Sequence, residues 1–168
     1  MRCFALSSIY IPKSVNQLGD TPFYDCSSLT NFIVDEANTS FCSENGVLFN
    51  KNKTSLIHYP AKKESSNYVI PSSVEIISNS SFLYALNLVS IELPDNITTI
   101  PFAMFQNCKS LKTFEIADTV ENISVYAFSQ CSTIENIIIP DSVKIIDSYA
   151  FSYCDELKSI KIGDGVTT

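Results

Sequence analysis

The chain has 168 residues, carries a formal net charge of -7 and is 45% apolar. The negative charge would repel a phosphate backbone, so we expect no nucleic acid partner. No apolar run reaches the roughly 18 residues of a membrane span, and no export signal or anchor is visible, so this segment is not expected to insert into a membrane. His58 is the single histidine, which leaves paired-histidine metal sites and Ser-His or Cys-His nucleophiles without a member.

A repeat of 23 residues begins close to the N-terminus. Three apolar positions and their counterparts one period later are Cys3 and Cys26, Leu6 and Leu29, and Ile9 and Phe32. Ile11-Pro12 corresponds to Leu93-Pro94 of a later unit, so the array is expected to start in mid-repeat. It also stops in mid-repeat, at residues 165–168. Because terminal repeats usually need a polar cap, we expect that the uncapped ends allow self-association.

One repeat is enlarged, over residues 35–70. Asn45-Gly46 precedes an apolar run at 47–49, a polar turn follows at 50–53, and a second apolar run occupies 56–60. This order predicts a β-hairpin, because Asn-Gly and polar clusters between apolar runs are typical of turns. Insertions in a repeat array usually lie on the surface and often bind partners. The hairpin residues Phe49 and Tyr59 are therefore predicted to belong to a partner surface.

The period is clearest from residue 71 onward. Equivalent positions in successive units form columns, and the most regular of them is Phe82, Phe105, Phe128 and Phe151. Self-similarity at a period between 20 and 50 residues indicates a solenoid, here with about seven stacked units. Residues 1–168 are accordingly predicted to form a single solenoid domain.

Each unit shows the same local pattern. In residues 111–116 the apolar Phe114 and Ile116 flank a polar residue, which predicts a half-buried strand. Proline often follows, as at Pro94 and Pro140, and it ends the strand because it cannot extend a paired ladder. A second apolar pair comes next, and then an Ala-Phe-x-x-Cys segment that places Phe and Cys on one side of a short helical turn. The predicted class is α/β and rich in β-structure, with parallel strands.

Two further columns could carry chemistry. The first contains Cys3, Cys26, Cys108, Cys131 and Cys154, which we interpret as buried free thiols, with disulfides as the alternative. Cys42 lies outside this column and is expected to be the most reactive thiol. The second contains Asp95, Asp118, Asp141 and Asp164, which fit turns capped by their own carboxylates, with Ca²⁺ binding as the alternative. We predict no metal site, no cofactor and no catalytic residue.

The consensus of the units resembles the BspA-like, treponeme-type leucine-rich repeat. It reads Cys-x-x-Leu-x-x-Ile-x-Ile-Pro-x-Ser-Val-x-x-Ile-x-x-x-Ala-Phe-x-x-Cys and is carried best by residues 131–154. The resemblance implies a curved leucine-rich-repeat solenoid at the surface of, or secreted by, a bacterium or parasitic protist. It also implies a non-enzymatic adhesin that binds host matrix proteins, glycoproteins or host cells. The alternative is a structural or intracellular scaffold for protein interactions.

One column of strand residues is predicted to point away from the core, and we call it the outward column. Regular strand surfaces are where solenoids bind extended partners. The N-terminal end of the column is apolar and adjoins the hairpin, so we predict a partner surface made by the column together with Phe49 and Tyr59. The alternative is that these residues reflect ordinary β-propensity and are partly covered by the hairpin. The outward column consists of Tyr10, Ile33, Val69, Glu92, Glu115, Ile138 and Lys161.

Overall fold

The computed structural model describes residues 3–168 and shows a β-solenoid of about 7 turns. Its strands are β1 (Ser8–Ile11), β2 (Asn31–Val34), β3 (Phe41–Glu44), β4 (Val47–Asn50), β5 (Ser55–His58), β6 (Asn67–Val69), β7 (Ile76–Ile77), β8 (Ser90–Glu92), β9 (Thr99–Ile100), β10 (Asn122–Ile123), β11 (Asn136–Ile139), β12 (Ile145–Ile146) and β13 (Ser159–Ile162). Within the described residues there is no helix, and therefore none that could cross a membrane. The predicted leucine-rich-repeat solenoid with parallel strands and one hairpin-containing repeat is confirmed.

Strands of successive repeats pair in parallel at the interval read from the sequence. On one side of the solenoid β1 pairs with β2, β6 with β8 and β11 with β13; in the last pair Ile137 lies opposite Ile160. On another side the short strands β9, β10 and β12 form a ladder in which Ile123 lies opposite Ile100 and Ile146. A strict parallel register of this kind stacks like residues on one another.

The phenylalanine column forms a continuous stack in the interior. Ring centroids are 5.5 Å apart between Phe82 and Phe105, 5.3 Å between Phe105 and Phe128, and 5.2 Å between Phe128 and Phe151. The first three rings are fully buried, and Phe151 is half-buried. These spacings are close to the separation of about 4.8 Å between paired strands, so backbone pairing and ring packing reinforce each other.

The segment around each phenylalanine is a hydrogen-bonded turn and not the predicted helical turn. The N–H of Cys108 donates to the carbonyl of Phe105 at 3.0 Å, and the N–H of Phe105 donates to the carbonyl of Ala127 in the next rung at 2.8 Å. Positive φ angles recur four residues apart in these turns, as at Ala103 (50°) and Asn107 (63°). Left-handed backbone is costly for residues other than glycine. The rung-to-rung hydrogen bonds offset this cost.

The enlarged repeat contains more structure than the predicted hairpin. β3, β4 and β5 form an antiparallel sheet, and β5 also pairs in parallel with β7. Asn45 and Gly46, with φ of 49° and 79°, form the tight turn between β3 and β4. A Cβ atom on Gly46 would lie 2.5 Å from Oδ1 of Asn31, so glycine permits both the turn and its close approach to β2.

This sheet, which we call the wall, divides the interior into two hydrophobic clusters. Val47 and Phe49 point to the larger hydrophobic cluster, which extends to the C-terminal repeats, whereas Leu48 between them points to a smaller cluster that contains Leu29 and Phe32. All three β4 side chains are fully buried, because a strand with apolar packing on both sides hides both of its faces. The expectation that the insertion lies on the surface is therefore wrong.

Candidate partner-binding face

The outward column is exposed along its length. The relative exposure is 59% for Tyr10, 47% for Ile33, 63% for Val69 and 65% for Ile138, and Glu92, Glu115 and Lys161 are also exposed. Their strand neighbours Phe32 and Ile137 are buried, as the alternation of side chains along a strand requires. Large apolar side chains thus stand in water at positions with no role in the core.

Phe49 and Tyr59 do not belong to this face, and their assignment to it is corrected. Phe49 is fully buried in β4, and Tyr59 stacks on Phe82 with ring centroids 5.0 Å apart. The hydroxyl of Tyr59 donates to the carbonyl of Ser65 at 3.3 Å, and burial raises the pKa of Tyr59 to about 12. Both rings were assigned to the surface because a hairpin was expected to project from the solenoid.

The outward column is divided into pairs and does not form one continuous ladder. Tyr10 lies opposite Ile33, Val69 opposite Glu92, and Ile138 opposite Lys161. Between the first two pairs, the chain forms the wall with β3, β4 and β5. There the N–H of Phe32 donates a hydrogen bond to the carbonyl of Gly46 at 3.0 Å. The hydroxyl of Tyr10 donates to Asp35 at 2.8 Å, which orients the ring at the N-terminal end of the column.

The second division lies at residues 114–118, which belong to no strand. An isolated bridge joins Ser90 to Thr113, but β11 on the other side pairs with β13 alone. Phe114 stands where the neighbouring rungs have Ile91 and Ile137, and its ring centroid is 5.0 Å from both Phe105 and Phe128. Glu115 has the same position in its rung as Glu92 has in the preceding rung. Like charges at adjacent strand positions weaken strand pairing.

A groove of 1080 Å³ lies over this interruption. Apolar groups from three rungs line it, among them Ile91, Phe114 and Ile138, together with the polar Thr113 and Asn136. Of the outward column, Glu92, Glu115 and Ile138 take part, whereas Tyr10, Ile33, Val69 and Lys161 do not. The groove was not predicted from the sequence, although Phe114 in an isoleucine column and Ala117 in a proline column mark its position.

The charge of the groove is strongly negative. It is lined by one lysine, Lys112, and by the carboxylates of Glu92, Glu115, Asp118, Glu135 and Glu156. Glu135 forms an ion pair with Lys158 at 2.8 Å, and this hydrogen bond lowers the pKa of Glu135. The remaining carboxylates have no salt bridge in the described part of the chain. A surface of this composition attracts cations.

The cysteines are free thiols. Sγ of Cys108 donates to the carbonyl of Phe82 at 3.1 Å, Cys131 bonds Phe105 in the same way, and burial raises the pKa of Cys108 to about 12. Cys42 is half-buried, and burial raises its pKa as well. A raised pKa opposes thiolate formation, and the nearby Lys53 and Lys51 offset this rise only in part, so the high reactivity of Cys42 stays a prediction.

The members of the aspartate column each lie in a turn, at Asp95, Asp118, Asp141 and Asp164. Among the described residues no group of three or more His, Cys, Asp or Glu side chains could hold an ion. The carboxylate of Asp141 accepts a hydrogen bond from the N–H of Asp164 at 2.9 Å. At this position the carboxylate therefore connects two rungs and does not cap its own turn.

His58, the single histidine, is a core residue. It is buried at the end of β5 and contacts the rings of Phe23 and Phe32, each with a centroid distance of 5.8 Å. Burial lowers its pKa to about 4, because the charged form would lose its hydration. His58 is thus neutral near pH 7 and is not available to a ligand.

Comparison with known proteins gives a consistent result. The sequence profile of the BspA type leucine-rich repeat region matches six copies over residues 1–67 and 58–168. The chain is similar to the pneumococcal vaccine antigen PcpA, with 32% identity and a TM-score of 0.90 over 95% of this chain and 40% of the other. None of the curated proteins searched matches it.

Two more solved structures are similar. One is a leucine-rich repeat protein from Eubacterium ventriosum, with 26% identity, a TM-score of 0.77, and coverage of 96% of this chain and 50% of the other. The other is a leucine-rich cell surface protein from Faecalibacterium prausnitzii, with 28% identity, a TM-score of 0.75, and coverage of 94% and 48%. The chain therefore spans half or less of the length of these three structures.

Proposed function

Since this chain belongs to the BspA-type leucine-rich repeat family, we propose that it is the recognition segment of a non-enzymatic cell-surface or secreted adhesin. Its partners are protein or glycoprotein ligands, such as those of a host matrix or host cell. The observation that carries the proposal is the exposure of Tyr10, Ile33, Val69 and Ile138 on the outward column. Contiguous exposed apolar surface, such as that formed where Tyr10 lies opposite Ile33, is typical of interaction sites.

Two of these residues offer a direct test. Ile33→Asp and Val69→Asp together place charges on the column without disturbing a core contact, because both side chains are exposed. We expect the double variant to lose binding to immobilised extracellular-matrix glycoproteins, while Ile76→Asp, on β7 in another sheet and equally exposed at 63%, keeps it. Binding by the double variant at the wild-type level, with an unchanged melting temperature, would overturn the proposal.

Location is tested separately, because the scaffold alternative places the same fold inside the cell. Antibodies against this segment should label intact cells of the source organism. If labelling requires permeabilised cells, the surface role is wrong and the scaffold role is favoured.

A further inference from the structure

We propose that the groove over residues 114–118 binds an extended, lysine- or arginine-rich segment of a partner protein. This inference rests on the proposed function and names the chemistry of one part of the same face. The groove lies between β8 and β11, on the side of the solenoid that carries the outward column, and has a volume of 1080 Å³.

Charge complementarity selects the occupant. Five carboxylates and one lysine line the groove, and in the described part of the chain the one ion pair that these carboxylates form joins Glu135 to Lys158. Glu92 and Glu115 stand one rung apart on the exposed face, so their mutual repulsion is relieved when a cation binds between them. The net charge of -7 adds a long-range attraction for basic segments and disfavours acidic ones.

The floor of the groove fits the stem of a basic side chain. Phe114 is half-buried and Ile138 is exposed, so both present apolar surface between the carboxylates. Lysine and arginine cover such surface with their methylene stems while their charged ends reach the carboxylates. A single metal ion would use the charges but not this apolar floor.

The shape favours an extended peptide. Glu92 and Glu115 occupy equivalent positions of successive rungs, so this pair runs along the axis of the solenoid. Residues 114–118 belong to no strand, and β11 has no ladder partner on that side. An extended chain with alternating basic residues can lie across several rungs and satisfy one or two carboxylates at each.

The test uses the described chain and a defined probe. The probe is a short fluorescein-labelled peptide in which lysines alternate with valine and serine, and its control carries glutamate in place of lysine. Fluorescence anisotropy should show saturable binding of the lysine peptide alone. The affinity should fall as NaCl rises from roughly 50 to 300 mM, because exposed charges are screened.

Two double variants with equal charge changes distinguish binding in the groove from general electrostatic attraction to the acidic chain. We expect Glu92→Gln with Glu115→Gln to weaken binding about five- to tenfold. Glu36→Gln with Glu75→Gln removes the same charge from exposed positions outside the groove and should leave the affinity within about twofold. Glu92→Lys with Glu115→Lys should abolish binding of the lysine peptide, because the groove then carries three lysines against three carboxylates. Thermal melting of each variant checks that it is folded.

Three outcomes would overturn the inference. They are no saturable binding of the lysine peptide, equal weakening by the two neutralising pairs, and a groove-dependent dimer of the chain that excludes the peptide. The proposed function is tested independently, because Ile33 and Val69 lie outside the groove. If the Ile33→Asp and Val69→Asp variant keeps matrix binding while the groove pair alters peptide affinity, the adhesion site is wrong and the groove assignment stands.

Discussion

The regular C-terminal repeats and the enlarged repeat form their cores in different ways. In the regular repeats each phenylalanine packs on its own counterpart, as Phe128 does on Phe105 and Phe151. In the enlarged repeat the same column continues as Tyr59, whose ring stacks on Phe82. In addition, β4 separates two clusters there, with Leu48 on one side and Phe49 on the other.

This difference shows how a solenoid tolerates an irregular unit. A regular rung needs only a copy of itself above and below, so its stability depends on neighbours. The wall has two different faces, and each of them packs against one of the two hydrophobic clusters. The outward strand face is interrupted at the wall, which separates the Tyr10–Ile33 pair from the part of the face that contains the acidic groove.

The largest expected effect is in the regular stack. Phe128→Ala removes a fully buried ring that contacts Phe105, Phe114 and Phe151, and should cost about 3–5 kcal/mol. Lys109→Ala, at an exposed position, should stay within about 0.5 kcal/mol. Urea unfolding of both variants checks the pair, and equal midpoints would contradict the role of the stack.

The next effect is a pH dependence that arises at the wall. The pKa of His58 is lowered from 6.5 to about 4 in the folded chain, so the unfolded chain binds the proton more readily. With respect to His58, the folded state therefore has its full stability above about pH 6.5. As the pH falls toward 4, the free energy of unfolding decreases by ~3 kcal/mol, at 1.36 kcal/mol per pKa unit.

His58→Phe is the matched control for this dependence. The ring is apolar, of similar size, and should pack between Phe23 and Phe32. Chemical unfolding at several pH values should show a smaller loss of stability in this variant between pH 6.5 and 4. The same slope in both proteins would mean that His58 is not the group that titrates.

A smaller effect is expected at the turn of the wall. Gly46→Ala places a Cβ atom at a φ of 79° and against Asn31, and should cost about 1–2 kcal/mol. Gly19→Ala meets nothing within 4 Å and should be near neutral. If calorimetry shows equal melting temperatures for the two variants, the turn does not constrain the approach of the wall to β2.

The smallest effect concerns the exposed face itself. Ile138→Ala should change stability by less than about 0.5 kcal/mol, because the side chain is exposed. Its strand neighbour Ile137 is buried, and Ile137→Ala should cost about 2–5 kcal/mol. Unfolding of the two variants checks the register of β11, and a reversed order would place the opposite face outward.

Much of the fold could be predicted because the repeat supplies the same information several times. Each strand of the regular repeats and each member of the phenylalanine column is supported by equivalent residues in other units, as Phe105 is by Phe82 and Phe128. The candidate site could be predicted only in part. The alternation of residues along the strands identified Ile33, Val69 and Ile138 as exposed, whereas the expectation that the hairpin projects from the solenoid wrongly placed Phe49 and Tyr59 on the surface.

The sequence by itself determined the period, the interior columns and the position of the enlarged repeat, because a periodic pattern of apolar residues has one consistent stacking. Only the tertiary structure decided what covers each face of β4 and where the outward strand ladder is interrupted. The reason is physical: alternation divides a strand into two faces, but burial depends on what packs against each of them, and that is set by residues far away in the chain.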